Sequence, residues 1–467
     1  MERGLVRGLN LAGAIAVVVG TVIGTGVFLK ARVMTCEVGS AGTVLAVWIV
    51  SGLLSLAGAL TYAELAAMMP EAGGEYIFIR DAYGPRMGYV YGWTQFAITY
   101  TGSAAAKGAA FAVFLNVLMQ GGLDVTYFTL HFFGHDFAFG RMQVVALSLV
   151  TIVSIINCLA VSVSGAIASV LTALKVLLIL AVGTGVFLLA KGDWMHFAMT
   201  NSGGACEGVS TGARGGIAGF GAAMLAALWA YDGWSNLTIV AGEVKNPKRN
   251  LPLALIGGMI LIALLYTFVN AAYFYVLSPT EAAGVSRASS VATEAVRHFL
   301  GPLAASVMAA GLLVSTLGSC YTGILTGARI PFAMARDGLF FNGIGAVSKR
   351  THVPVNALIL QWAWVCVLTL SGSFDTLTDY AMFAAWIFYG LATASVFLFR
   401  KRMPNAERPY RTWGYPIVPV MFLLVTAFLL INTVVTAPLQ SLIGLGLIAL
   451  GLPLYWYFSR KVIGGRT

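Results

Sequence analysis

Residues 20–28 read GTVIGTGVF, inside a run from Leu11 to Leu29 that is otherwise as apolar as a membrane-spanning helix. Three glycines, Gly20, Gly24 and Gly26, with Thr21 and Thr25 among them, do not suit an undisturbed apolar helix. In water such a stretch reads as a phosphate-cradling loop. In a bilayer it reads as a deliberate break, so the solvent around it decides the fold.

Composition identifies that solvent. The 467 residues are 59% hydrophobic and 10% charged, with a mean hydropathy of +0.85, far from the roughly 25% charged residues of soluble domains. This is the composition of a polytopic membrane protein. Runs long enough to cross a ~30 Å hydrocarbon core, roughly 20 residues each, recur near 11–33, 42–69, 86–119, 141–160, 164–190, 216–242, 251–277, 303–335, 354–371, 377–400, 416–436 and 440–459. The pattern predicts an all-α integral membrane protein with 12 transmembrane helices. The N-terminus is too polar, and the first helix too long, for a cleaved signal peptide.

Lys and Arg set the expected orientation, because cytoplasmic loops hold the excess. With the N-terminus inside, 19 of the 28 basic residues fall in inner segments and 7 in outer ones, while Lys107 and Lys175 lie within spans. Both termini are therefore expected in the cytoplasm, in a plasma or inner membrane. The net charge of +10 is a topology signal, and no nucleic-acid partner is expected. Of five cysteines, Cys158, Cys320 and Cys366 fall in spans and Cys36 and Cys206 in outer loops; their spacing suggests neither a metal site nor a disulfide framework, so they read as structural thiols. No Walker-type loop, His-rich cluster or Ser-His-Asp order stands out, and the five histidines fall in loops. The expectation is no enzyme, no catalytic residues, no cofactor and no metal.

Non-helical backbone is tolerated in a bilayer only where protein or a water-filled cavity satisfies it, although closely spaced glycines also let helices pack tightly. A second unusual stretch tips the balance. In the sixth span, LWAYDGWSN, residues 228–236, Asp232 and Gly233 interrupt an apolar helix near mid-depth, where an acid costs about 2.5–3.5 kcal/mol. The two sites lie five spans apart. Five is odd, so a five-helix unit repeated once is inverted in the membrane, and span one corresponds to span six. Interrupted segments in corresponding positions of two halves point to a transporter's central site.

The chemistry of that site follows from helix ends. Past the first break an outer half-helix begins near Thr25, and its free N–H groups suit a carboxylate. At the second break a half-helix ends near Ala230, and its free carbonyls suit an ammonium. Together they match a zwitterionic α-amino acid, with Trp229 able to close over the side chain. Val22, Gly24, Thr25, Gly26, Trp229, Ala230, Asp232 and Gly233 are the candidate substrate-binding residues. Asp232 either shapes the amine site or caps the inner half-helix.

GTVIGTGVF, the run YAELAAMMPEAGGEYIFIRDAYG from Tyr62 to Gly84, LWAYDGWSNL with the following GEVKNPKRNLPLA, and GARIPFAMARDG from Gly327 to Gly338 resemble the amino acid-polyamine-organocation superfamily. Within it the chain is most similar to the L-type amino acid transporters, light chains of heteromeric exchangers, and their prokaryotic relatives. The resemblance implies a five-plus-five inverted repeat followed by two helices, with helices 1 and 6 unwound at mid-membrane: a first repeat over 1–200, a second over 201–402, and the last two helices with the C-terminus over 403–467. It implies a hydroxyl at Thr25 where relatives carry Ser, and an aromatic lid at Trp229. It also implies that Lys175, too deep in the fifth span to snorkel, replaces the sodium ion of related transporters, contacting carbonyls near Val22 and polar atoms around Ser315 and Ser319 of span eight. Members that pair with a heavy chain carry a Cys in the loop after the third helix; the loop 120–140 has none, so no disulfide-linked heavy chain is expected.

Other polar residues have plainer readings. Glu64, Glu71, Glu75 and Arg80 read as structural or inner-gate residues. Glu243 belongs to a turn with Asn246, Pro247 and Pro252 in which Asn250 caps the seventh helix. Lys107 and Tyr321 read as satisfied or packing residues, and the Gly-rich loop 201–216 as a flexible connector. The expected activity is sodium-independent exchange of small or medium neutral L-amino acids by alternating access. A proton-coupled symporter, a cationic amino acid or polyamine antiporter, and a non-transporting amino acid sensor remain alternatives.

Overall fold

The computed structural model describes residues 5–132, 135–159, 161–207, 209, 214–286, 289–370, 374–436 and 438–464. Its helices are α1 (Leu11–Val22), α2 (Gly26–Leu29), α3 (Ala31–Val38), α4 (Ala41–Met68), α5 (Glu75–Tyr83), α6 (Pro85–Thr94) and α7 (Thr101–Leu118), the last two joined by a π-helical stretch, Gln95–Tyr100. After two short strands come α8 (Arg141–Asn157), α9 (Val161–Leu189), α10 (Gly216–Tyr231), α11 (Asn236–Ile239), α12 (Pro247–Val276), α13 (Pro279–Gly284), α14 (Val291–Leu300), α15 (Ala304–Gly327) and α16 (Arg329–Arg336). The chain ends in α17 (Val355–Leu370), α18 (Phe374–Arg402), α19 (Ile417–Thr436), α20 (Pro438–Ala449) and α21 (Gly451–Gly464).

Among the described residues nine helical stretches are long and apolar enough to cross a bilayer, and α8 and α17 are shorter apolar helices. The broken segment α10–α11 covers the sixth expected run. Leu9 N–H donates to Glu243 O at 2.9 Å and Lys245 N–H to Leu9 O at 2.7 Å, so the start of α1 and the end of α11 share one face of the protein. At the opposite face Gly215 N–H donates to Glu37 O and Asn201 N–H to Gly39 O, each at 2.7 Å. The two broken helices therefore run in opposite directions. Helices five apart in the expected order also pack on each other: α4 on α12, α7 on α15, and α8 on α17.

Three expectations are corrected. The chain is not wholly helical: β1 (Thr126–Phe132) and β2 (His135–Gly140) pair antiparallel, with Phe128 opposite Phe139. Aromatic residues recur on both strands, and the rings of Phe128 and Phe139 stack at 5.2 Å, a cross-strand pairing of the kind that stabilises hairpins. The seventh helix starts at Pro247, not near residue 251; Asn246 precedes it at φ +46°, and Pro suits the first helical position because its φ is already helical and it has no N–H to leave unpaired. Asn250 instead bonds back to Lys245 O at 2.6 Å.

The third correction concerns the cysteines. Cys36 and Cys206 form a disulfide across 170 residues, a separation that no local spacing reveals, while Cys158, Cys320 and Cys366 are free. The bond ties the end of α3 to the loop before α10, so that loop is pinned rather than free. Its residues 208 and 210–213 lie outside the described residues.

Candidate functional site

α1 ends where the backbone of Ile23 turns extended (φ −69°, ψ 94°), and helix resumes only at Gly26. Gly24 and Thr25 are partly accessible, while Val22, Ile23, Gly26 and Val27 around them are buried. The two residues of the break thus face a space. The side chain of Thr25 forms no cap to the following helix, and the amides of the first turn are the donors that every helix leaves unpaired. Helical backbone continues through Lys30 into α3, so the N-terminal end at the break belongs to a segment of more than three turns.

The second break has matching geometry. α10 ends at Tyr231, Asp232 is extended, and Gly233 adopts φ +102°, a conformation that side chains rarely tolerate. A Cβ on Gly233 would also lie 2.7 Å from Thr21 Cγ2. Gly26 is equally constrained: a Cβ there would meet Ala230 Cβ at 2.6 Å and the Trp229 ring at 3.1 Å. The two glycines let the broken segments touch at both ends of the gap. Trp229 is half-buried, and Lys30 Nζ lies 4.6 Å from its ring centroid, a cation–π contact at the side of the gap away from α1.

Tyr266 on α12 was not singled out in the sequence. Its hydroxyl approaches Val22 O at 3.1 Å and Ala230 O at 3.0 Å, the terminal carbonyls of α1 and α10. One proton serves two acceptors, so acceptor capacity remains at the position where an ammonium would sit.

Lys175 is fully buried. Its Nζ donates to Gly20 O at 2.7 Å and Ile23 O at 2.6 Å. Ser315 on α15 donates to Gly24 O at 3.0 Å, so α9 and α15 hold the same break from two sides. Ser319 Oγ instead bonds to Ser315 O and Thr316 O of its own helix.

Beyond Asp232 lies a cavity of about 40 Å³, lined by Asp232 and Gly233 together with Glu75, Gln95, Tyr100, Lys107, Tyr389 and others. Asp232 Oδ1 accepts from Tyr389 at 2.7 Å, Tyr100 donates to Asn236, and Lys107 Nζ donates to Ser319 O at 3.4 Å. The π-helical stretch supplies Gln95 and Tyr100. Such stretches appear disproportionately at functional sites, yet no residue type announces one in advance. Lys107, read as a satisfied lysine, stands on the cavity wall. Glu75 does too, with burial raising its carboxyl to about 7 against hydrogen bonds that lower it.

Glu64 and Glu243 lie away from this gap, in ion pairs. Glu243 receives Arg329 at 2.7 and 3.0 Å with both side chains fully buried, joining the turn after α11 to α16. Glu64 receives Arg400 at 2.7 and 3.0 Å and the Thr412 amide at 2.7 Å, joining α4 to the end of α18. Arg80 and Tyr76 both reach Asp337, at 2.6 and 2.7 Å.

The sequence matches the amino acid permease family model over residues 9–454. It is 30% identical to the serine/threonine exchanger SteT of Bacillus subtilis (strain 168) over 98% of both chains. It is 28% identical to the human b(0,+)-type amino acid transporter 1, over 98% of this chain and 89% of that one, and 28% identical to the human cystine/glutamate transporter, over 97% and 85%. All three are transporters or exchangers by name, not enzymes. With its two opposed helix breaks and a family match over nearly its whole length, the chain belongs to the amino acid permease family.

Proposed function

We propose that the protein is a sodium-independent exchanger of small or medium neutral L-amino acids, working by alternating access around the breaks at Val22–Gly26 and Ala230–Gly233. In this reading the chain has twelve spans, ten of them in two inverted halves. The substrate carboxylate meets the amides at Gly24, Thr25 and Gly26, its ammonium meets the carbonyls of Val22 and Ala230, and Trp229 closes over it. The observation that carries the reading is the contact of Lys175 Nζ with the Gly20 and Ile23 carbonyls, which puts a lysine where a transported cation would otherwise be needed. The name of the serine/threonine exchanger supports small neutral substrates.

The cavity of about 40 Å³ has room for about three waters at roughly 10–15 Å³ each, so an amino acid enters only when the halves part. Lys30 over Trp229 and Gly26 against Ala230 are the contacts that must open. The Cys36–Cys206 bond supports placing the α3 end outside the cell, because disulfides persist in oxidising compartments; both termini then face the cytoplasm. Asp232 favours a second reading, antiport of cationic amino acids, since a buried carboxylate held by one tyrosine can receive an ammonium or guanidinium.

Counterflow into proteoliposomes with about twenty unlabelled amino acids against labelled serine separates these readings. Competition by small neutral amino acids supports the first and competition by lysine and arginine the second. No counterflow with any amino acid contradicts transport itself.

A further inference from the structure

Glu75 opens α5 and is 2% exposed. Its Oε2 accepts from Tyr91 Oη at 2.6 Å, while the buried Oε1 has no hydrogen-bond partner. An unpaired carboxylate oxygen away from bulk water is costly, and this one belongs to a side chain on the cavity wall. The hydroxyls of Tyr62 and Ser235 also face this carboxyl, and the cavity beside it has room for waters and not for an amino acid side chain, so a further partner for Oε1 in this conformation is a water or a proton.

Charge counting narrows the choice. The ionisable groups around Glu75 are Tyr62 on α4, Tyr91 on α6, Tyr100 in the π-helical stretch, Lys107 on α7, Asp232 at the break and Tyr389 on α18. With the tyrosines neutral, two acids face one ammonium and the site carries one uncompensated negative charge. One added proton neutralises it. Each acid accepts from one tyrosine, Asp232 from Tyr389 and Glu75 from Tyr91, and among the described residues the buried carboxylate oxygen of this pair without a partner is Oε1 of Glu75.

Glu75 also follows directly on a segment packed against the broken helix. Gly73 N–H donates to Ile239 O at 2.9 Å, and a Cβ on Gly74 would lie 2.6 Å from the Thr238 backbone, so the segment leading into α5 rests directly on α11. A shift of α11 would therefore displace the segment that carries Glu75.

We propose that Glu75 is a proton-binding site that links amino acid movement to proton movement through the cavity beside Asp232. A hydronium ion in the cavity gives its proton to Oε1, forming the O–H bond and leaving water; the same proton returns to water when α11 moves. The inference rests on the transport reading above and deepens it, since a carrier so equipped moves a neutral substrate together with a proton as well as by exchange. The elevation of Glu75 to about 7 puts the exchange within reach of physiological pH.

The test uses the purified full-length protein in proteoliposomes with labelled serine, or with whichever amino acid the counterflow panel prefers. An inward proton gradient with no internal amino acid should drive accumulation by the wild type, and Glu75→Gln should abolish that accumulation. Tyr91→Phe, which removes the donor to the ionised carboxylate, should move the midpoint of the pH–counterflow profile upward by about one unit; a purely structural Glu75 would leave the midpoint in place. Counterflow that proceeds while the proton gradient drives nothing overturns the inference alone. So does gradient-driven accumulation by Glu75→Gln, or an unmoved midpoint in Tyr91→Phe. Absence of counterflow with every amino acid overturns the transport reading and this inference with it.

Discussion

The hydroxyl of Tyr266 stands 3.0 Å from the carbonyl of Ala230 and almost as close to that of Val22, so one side chain on α12 holds the ends of both broken helices. Tyr266→Phe keeps the ring packed against Trp48 and Tyr231 and removes only the shared proton. Leaving buried carbonyls unsatisfied costs roughly 1–3 kcal/mol. The melting temperature in detergent should fall, and substrate affinity should fall with it because the carbonyls lose their fixed direction. An unchanged melting curve with unchanged half-saturation contradicts a positioning role for Tyr266.

Trp229 lies between the Gly26 backbone and the Lys30 ammonium. Trp229→Ala should reduce exchange by an order of magnitude or more, about 1.4 kcal/mol per tenfold step, while a monodisperse size-exclusion peak is retained. Aggregation with a matching loss of protein would identify the tryptophan as a packing residue instead. Thr25→Ser should retain exchange better than Thr25→Val, because only Ser keeps the hydroxyl at the partly accessible break.

Much of this was legible in the sequence, and most of what was missed shares one cause. The breaks at Gly24 and Gly233 and the buried Lys175 violate the rules of an apolar helix, and each violation shows on the page of the sequence. Tyr266, Tyr389 and Glu75 violate nothing locally. A tyrosine in an apolar span is ordinary, and Glu75 reads as one of several acids after span two until the fold brings α5, α7 and α18 around one cavity. The Cys36–Cys206 bond escaped for the same reason: 170 residues separate partners that only tertiary structure aligns. The strands Thr126–Phe132 and His135–Gly140 are the exception, because their aromatic residues were a local signal within a stretch read as a loop.

Glu37 gives a pH prediction on the face that carries the disulfide. Burial raises its carboxyl from 4.5 to about 7, with Lys30 opposing, and its Oε2 lacks a partner. A raised acid pKa means that the folded protein holds the proton more tightly than the unfolded chain. Its contribution to stability is full below about 4.5 and is lost as pH rises through 7. Thermal stability of the wild type should decline across that window, and Glu37→Gln should flatten the decline. An identical slope in the variant would assign the pH dependence to other groups.

Closing a loop of 170 residues restricts the unfolded chain, and disulfides typically contribute about 2–4 kcal/mol. Cys36→Ser with Cys206→Ser should lower the melting temperature. In intact cells a membrane-impermeant reductant should give the wild type the same fall. Sensitivity only after permeabilisation would place that face, and with it the termini, on the sides opposite to those proposed.

Lys175 carries the central claim, that a lysine on the carbonyls of Gly20 and Ile23 replaces a transported cation. The most direct measurement is amino acid counterflow by the purified protein in proteoliposomes with sodium replaced by choline on both sides, for the wild type and for Lys175→Ala of matched melting temperature or gel-filtration profile. The account predicts equal wild-type rates in sodium and choline, and turnover at least about tenfold slower in Lys175→Ala. Wild-type counterflow that collapses in choline, or Lys175→Ala that turns over at the wild-type rate, would contradict it.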